Sequence, residues 1–414
     1  MNPAPSGGPD LVAVVSDLHL GQGTRHDHFR DGAAFCEFAD HLTDRVRQGS
    51  HVQLVVAGDL VDLLPVECSR PARARSTRRA ASDRLARIAE THRPVFDALK
   101  RFTTSGGELP IIPGNHDVEI LWPDVGAALE DMTGGLIEPW IHHVPGLLYV
   151  EHGGQYHDMS AFDRFAAPWQ CSNPDTIDLP VGSAAALWLA AVNDAVTPAG
   201  SLSARAFATS PALVLRLAAA WRAHVHLAAT VANGWKRPDR FGRERYRREI
   251  LTEVADAVGL AQADLAAIDR IAEIRPGALE RRVVRAVVRR SGATKMGYAR
   301  RAICDGAQEV ALILERGGQR VANVVMGHTH FPERHSLKGG STYLNAGTWS
   351  SLVPASQRAA GQVGARSFVS IERDSFGNGS ARLMRWNPAS GSEELEANDP
   401  GDTSRRRPVP RTTT

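Results

Sequence analysis

The sequence predicts a layered α/β fold interrupted by a helical segment, and three observations carry that prediction. Five short Val/Ile/Leu-rich runs each break into Gly, Asn, Asp or His at the C-terminal end. Helical stretches separate the early runs. From about Ala166 to about Gly318 the strand pattern gives way to Ala/Leu/Arg-rich stretches. Apolar runs this short and continuous read as strands buried on both faces. In layered α/β proteins the carboxyl edge of the strands is where ligands bind.

In chain order, "LVAVVSD" ends at Asp17 and "VQLVVAGD" ends at Asp59. "LPIIPGNHD" passes through Asn115 and His116 to Asp117, "LLYVEHG" carries His152, and "NVVMGHTH" ends at His330. The last run presents His328 and His330 at i, i+2, which puts both rings on one side of an extended backbone. Helices are expected over "AAFCEFADHLTDRVRQG" and "ASDRLARIAETHRPVFDALKRF". Later come "STYLNAGTW", "SFVSIERD" and "ARLMRW", the last two joined by the turn-like "SFGNG", which together read as a second, more antiparallel set of strands.

Four spans follow. Residues 1–165 and 319–386 form the two parts of one core, and 166–318 is a helical insertion acting as a lid or a partner surface, with "SAAALWLAAVNDAV", "EILTEVADAVGL" and "RRVVRAVVRRSG" as its helices. Residues 387–414 are polar and Pro/Ser/Thr-rich and are expected to be disordered.

Composition excludes little. A chain of 414 residues with 43% hydrophobic and 23% charged side chains is ordinary for a globular protein, and a net charge of +2 selects no partner. The leader "MNPAPSGGPD" has neither a basic region nor an apolar one, so no secretory signal is expected. "ALVLRLAAAWRAHVHLAATVA" is broken by Arg216, Arg222, His224 and His226, so no spanning helix is expected either. Peripheral membrane contact stays open. Cys36, Cys68, Cys171 and Cys304 lack CxxC spacing and read as reduced thiols of a cytoplasmic protein. Basic clusters in "SRPARARSTRR", "KRPDRFGRERYRR" and "RRVVRAVVRR" read either as solvated helix faces or as a rim that draws a polyanionic substrate.

Collected in order, the strand ends read D-x-H (Asp17, His19), G-D-x-x-D (Gly58, Asp59, Asp62), G-N-H-D (Gly114 to Asp117), H-G (His152, Gly153) and G-H-x-H (Gly327, His328, His330). Seven oxygen and nitrogen donors with no thiolate suit two borderline-to-hard divalent ions such as Mn, Fe, Co or Zn. Two ions about 3.5–4 Å apart need a bridging ligand, a task for a carboxylate, and Asp59 is the natural one. Water held by two such ions would become a hydroxide able to attack phosphorus in line.

The series closely resembles the calcineurin-like metallophosphoesterases over roughly residues 10–165 and 320–386. That resemblance implies an α/β/β/α sandwich and two divalent ions, manganese first among them. It implies that Asp17, His19, Asp59 and His330 hold one ion, and that Asp59, Asn115, His152 and His328 hold the other. His116 takes the place of the family's catalytic histidine, with Asp62 or Asp117 orienting it or another ligand. His26, His28, His142, His143 and His157 read as solvent-facing or core residues rather than ligands, and His157, close after His152, is also within reach of substrate.

Subfamily patterns narrow the chemistry. Leu63 and Asp117 stand where the protein Ser/Thr phosphatases carry arginine and glutamate, and the motif around the purple acid phosphatases' tyrosine ligand is absent. "SDLHLG", "EHGGQY" and "GHTH…YLNAGTW" look most like bacterial UDP-2,3-diacylglucosamine hydrolases, though those enzymes typically have arginine in place of His116. The expected function is hydrolysis of a phosphodiester or pyrophosphate bond in a small nucleotide or lipid-linked phosphate ester. The alternatives are a nuclease acting on DNA or RNA ends, motivated by the basic clusters, and a non-catalytic scaffold. Such scaffolds tend to lose ligands, and here every expected position is filled. Sequence leaves the oligomeric state open.

Overall fold

A computed structural model describes residues 8–24, 27–64, 77–157, 160–162, 167–170, 173–180, 183, 292–351, 366–373 and 379–395. The expected insertion therefore lies largely outside the described residues, as do most of the first basic cluster and all of the other two.

The first half builds β1 (Leu11–Val15), α1 (Gly32–Arg47), β2 (Val52–Ala57), α2 (Arg78–Thr91), α3 (Arg93–Thr104), β3 (Pro110–Ile112), α4 (Pro123–Thr133) and β4 (Leu136–Ile137). β5 (His142–Val144), β6 (Leu148–Val150), β7 (Trp169–Gln170) and β8 (Asn173–Ile177) follow. The second half adds α5 (Gly292–Arg316), β9 (Asn323–Met326), β10 (Glu333–Ser336), β11 (Thr342–Asn345), β12 (Ser367–Arg373), β13 (Gly379–Asn387) and β14 (Gly391–Glu394). Two large sheets result, ordered β14-β13-β12-β1-β2-β3-β4 and β10-β11-β9-β6-β5, with β7 and β8 as a separate small hairpin.

Alternation along the strands makes these sheets into layers. Val12, Val14, Val55, Ala57, Ile112 and Val369 of the first sheet share one apolar core with Leu148, Val150, Val325 and Leu344 of the second. The intervening residues Ala13, Val15, Leu54 and Val56 belong to the other core, with Phe35, Phe38 and Leu42 of α1 and Leu99 and Phe102 of α3. Tyr149, Val324, Met326 and Tyr343 join that core from the second sheet, with Ile303, Ala307, Val310 and Leu314 of α5. The order is helix, sheet, sheet, helix. Both faces of β1 and β2 are buried, which is why their runs are continuous rather than alternating.

Several local expectations are corrected. The stretch 81–102 forms two helices, because Pro94 lacks an amide donor and sits at the start of α3. "STYLNAGTW" contributes β11, which runs parallel to β9 in the second sheet. "SFVSIERD" and "ARLMRW" contribute β12 and β13, antiparallel strands that extend the first sheet through β1. These late strands are thus shared between both sheets and form no set of their own. Inside the span expected to be helical, β7 and β8 form a hairpin. Inside the span expected to be a disordered tail, β14 pairs with β13. Helix α5, which ends just before the expected boundary at Gly318, packs on β9 and β11 and is part of the sandwich core.

One aromatic group ties the core to the site edge. Trp349, fully buried, packs edge-on against Phe35 at 5.1 Å and tilted against Phe38 at 5.3 Å. Its neighbour Thr348 donates its hydroxyl to the backbone oxygen of Asp17 at 2.7 Å.

Candidate metal centre

All five polar strand ends meet at one edge. Asp17 and His19 follow β1, Asp59 follows β2, and Asn115 and His116 follow β3 in the first sheet; His152 follows β6, and His328 and His330 follow β9 in the second. Backbone bonds lock the loops together: Asp17 N–H donates to Gly58 O at 3.1 Å, His19 N–H to Asp59 O at 2.9 Å, and Gly327 N–H to His152 O at 3.0 Å.

Backbone conformation sets these positions apart. Asp17, His19, Asp59, His328 and His330 all have φ between 51° and 69°. Left-handed backbone is uncommon outside glycine, and Asp and His are among the residues that tolerate it. Each such position costs about 1–3 kcal/mol and persists only where surrounding contacts enforce it. Among the described residues only Trp140 and Arg366 share the trait without being predicted ligands.

Three overlapping groups of these side chains have the spacing to hold a cation: Asp17–His19–His330, His19–Asp62–His116 and Asp17–Asp59–His152, with donor atoms inside 4.8 Å in each. His330 Nε2 lies 3.1 Å from Asp17 Oδ1 and 3.1 Å from His19 Nε2. Asp59 Oδ2 stands between two rings, 3.3 Å from His152 Nε2 and 3.7 Å from His19 Nε2. Asn115 Oδ1 is 3.1 Å from His152 Nε2. His328 lies to one side, its ring 5.2 Å from that of His152, and its backbone N–H donates to Asp17 Oδ2 at 2.8 Å.

Electrostatics fit a cation. Asp17 is wholly buried and its Oδ1 accepts no hydrogen bond. Burial alone would raise the Asp17 and Asp59 carboxyls, yet surrounding imidazoles hold both below the ordinary carboxylate range. His328 and His19 are also lowered, chiefly by burial, and stay neutral, the form that ligates. Against burial, the Asp59 carboxylate raises the His152 imidazole to about 10, so a cation bound there would displace a proton. Buried carboxylates and imidazoles, with no thiolate, make a donor set suited to a divalent metal.

The two acids expected to serve His116 divide the work. Asp62 Oδ1 is 3.3 Å from His116 Nδ1. Against burial, the Asp59 and Asp62 carboxylates raise the His116 imidazole to about 9. Asp117, fully buried, instead accepts backbone N–H groups of Gly114 at 2.6 Å, Leu60 at 2.7 Å and Asp59 at 3.3 Å. It pins the Asp59 loop to the Asn115 loop. His116 itself sits edge-on to His19, ring centroids 4.6 Å apart, and its backbone N–H donates to Asp59 Oδ1 at 2.8 Å.

Gly327 is required by close packing, not by its backbone conformation. It does not adopt positive φ; the following His328 does. Any Cβ at 327 would fall 2.6 Å from Asp17 Oδ2, so glycine is required for close approach between the two sheets' loops.

Sequence reasoning missed the supports. Ser16 Oγ lies 2.6 Å from Asp17 Oδ2 and 2.8 Å from Ala57 O. Asn345 Nδ2 donates to Gly327 O at 2.6 Å. Tyr156 OH donates to Glu151 Oε1 at 2.7 Å and anchors the His152 loop. "SD" and "LNAGT" were visible signals, but ordinary polar residues beside ligands have no pattern of their own. His142 and His143 lie in β5, where His142 pairs with Glu138 at 2.8 Å; His26 is outside the described residues.

No family model matches the chain, and no curated protein matches it. Among solved structures, a dimetal phosphatase from Danio rerio is 12% identical, with 94% of this chain and 98% of that chain covered at a TM-score of 0.33. TT1561 of Thermus thermophilus is 11% identical, with 82% of this chain and 89% of that chain covered at a TM-score of 0.28. The layered architecture and the centre's chemistry stand on this chain's own geometry.

Proposed function

We propose that the chain is a dinuclear-metal phosphoesterase of the calcineurin-like type, hydrolysing a phosphodiester or pyrophosphate bond in a small nucleotide or lipid-linked substrate. The observation that supports this reading best is the left-handed backbone at five predicted ligands that meet from two sheets. A fold retains that many strained positions at one edge when function requires them.

Asp17, His19, Asp59 and His330 hold one cation, and Asp59, Asn115, His152 and His328 hold the other. Asp59 lies between the two sets, with Oδ2 near rings from both. Divalent cations bound there supply Lewis acidity toward water and toward phosphoryl oxygens. The chain's own groups do the remainder. His116, held at Nδ1 by Asp62, donates a proton to the leaving oxygen from Nε2, the nitrogen turned away from Asp62. Asp117 and Ser16 keep the ligand loops from relaxing once substrate charge arrives.

Manganese is the first choice of metal, and zinc, iron and cobalt fit the same donors. The proposed partner is the small ester alone. No helix among the described residues is long and apolar enough to cross a membrane. The nuclease reading rests on basic clusters that fall almost wholly outside the described residues, and no observation in the centre favours it.

The test is metal analysis of the purified, manganese-supplemented chain together with hydrolysis of bis-p-nitrophenyl phosphate. Two bound equivalents and metal-dependent turnover are expected. A chain that binds no transition metal under generous supplementation overturns the reading.

A further inference from the structure

His328 faces two ways. A Cβ placed on Gly154 would sit 3.0 Å from Asn115 Oδ1, 3.2 Å from His152 Cδ2 and 3.5 Å from His328 Nδ1. Those three side chains therefore surround one small volume that glycine leaves open. The other ring nitrogen of His328, Nε2, lies 3.0 Å from Nδ1 of His157. Ser160 Oγ is 3.2 Å from that same His157 nitrogen, and the His157 backbone N–H donates to Gly154 O at 3.2 Å. One short turn thus supplies both the open volume and the imidazole behind it.

A neutral imidazole carries a single proton, on one nitrogen or the other. Two ring nitrogens 3.0 Å apart form a hydrogen bond only when one holds a proton and the other a lone pair. With the proton on His328 Nε2, its Nδ1 lone pair faces Asn115 and His152, as a cation there needs. With the proton on His157 Nδ1 instead, His328 turns an N–H into that volume and no metal fits. Ligating histidines commonly donate their distal N–H to a carboxylate, a backbone carbonyl or water. Here a second imidazole occupies that place.

We propose that His157 is the positioning residue of the second cation: it accepts the Nε2–H of His328 and so fixes His328 Nδ1 toward Asn115 and His152, while Gly154 keeps the coordination volume open. The proposal rests on the dinuclear reading above. It assigns His157 its own proton on Nε2 and a role that acts through His328.

Cobalt titration of the full chain, followed by visible absorption and by elemental analysis, tests it. Wild type, His157→Leu, His157→Asn and Gly154→Ala are compared. Asparagine places its Oδ1 about where the imidazole Nδ1 lies and keeps the acceptor; leucine removes it. Wild type should take up two equivalents. His157→Leu should bind the first as wild type does and the second about 10–100-fold more weakly, the usual cost of losing such a partner. His157→Asn should restore the second within a few-fold. Gly154→Ala, which leaves His157 intact, should weaken that same equivalent by filling its volume. Unchanged second-site binding in the leucine variant overturns the proposal, and so does equal loss of both equivalents. Wild type that takes up no cobalt overturns the metal reading itself, and this proposal with it.

Discussion

At the carboxyl ends of β1, β2, β3, β6 and β9, Asp and His side chains face one another, most of them deeply buried and five of them on left-handed backbone. Around the amino ends of β1–β3 the same residue types meet again without left-handed backbone, although Gln53 and His142 are buried there too. There His51 Nε2 is 2.8 Å from Glu108 Oε1, Gln53 donates to Glu108 Oε2 at 2.6 Å, and His51 N–H donates to Asp10 Oδ2 at 2.8 Å. His142 reaches across from β5 to Gln53 Oε1 at 3.3 Å. None of these residues has positive φ, and the Glu108 side chain is 50% exposed. Each charge there is met by a hydrogen-bonding partner, so nothing calls for a further cation. Histidine and carboxylate content alone does not mark a centre; convergence, burial and enforced left-handed backbone do.

The contrast breaks most sharply at Asp59. Asp59→Ala is expected to lose both cations and turnover together, because the carboxylate touches ligands of both sets and holds the His116 backbone. His51→Ala should leave metal content and turnover as in wild type. Metal analysis of the two purified variants checks both, and equal metal loss would erase the distinction between the edges. His116→Ala comes next: metals retained, with kcat on bis-p-nitrophenyl phosphate down on the order of 10²–10⁴-fold. Full turnover in that variant would remove His116 from the chemistry. Gly327→Ala should cost about 1–3 kcal/mol by overpacking the Ser16–Asp17 contact, read by denaturant unfolding of the metal-free chain. A comparable change at Gly49, where an added Cβ meets nothing within 4 Å although φ is +95°, isolates backbone strain from crowding.

How much of this the sequence shows depends on whether the signal is local. That the seven predicted ligands gather at one edge was legible because each lies at the end of an apolar run, and strand boundaries are written in adjacent residues. The joining of β12 and β13 to β1 was not, because pairing partners lie more than 300 residues apart and alternation says that a strand is buried, not beside what. Ser16, Thr348 and Asn345 are legible only once the loops are in contact. Asp117 looked like a catalytic partner by its place after His116. Its backbone contacts to Gly114, Leu60 and Asp59, invisible in sequence, show it holding the loop of another predicted ligand, Asp59, rather than touching His116.

The smallest expected effect lies at the ordinary edge and concerns pH. Burial raises the Glu108 carboxyl, but hydrogen bonds from Gln53 and His51 outweigh it and set it below its ordinary value. A carboxyl lowered in the folded state stabilises the fold above its unfolded value of about 4.3, and the contribution fades as pH falls through the folded value. Being half exposed, the group contributes less than about 1 kcal/mol at neutral pH. Glu108→Gln should therefore lower the melting temperature slightly at pH 7, and the gap from wild type should shrink toward pH 2, as the carboxylate is lost. Thermal unfolding of the metal-free chain at the two pH values reads the difference. A gap that persisted unchanged at the lower pH would mean that shape and packing, not charge, hold Glu108 in place. The contrast between the two edges would then rest on burial and backbone strain alone.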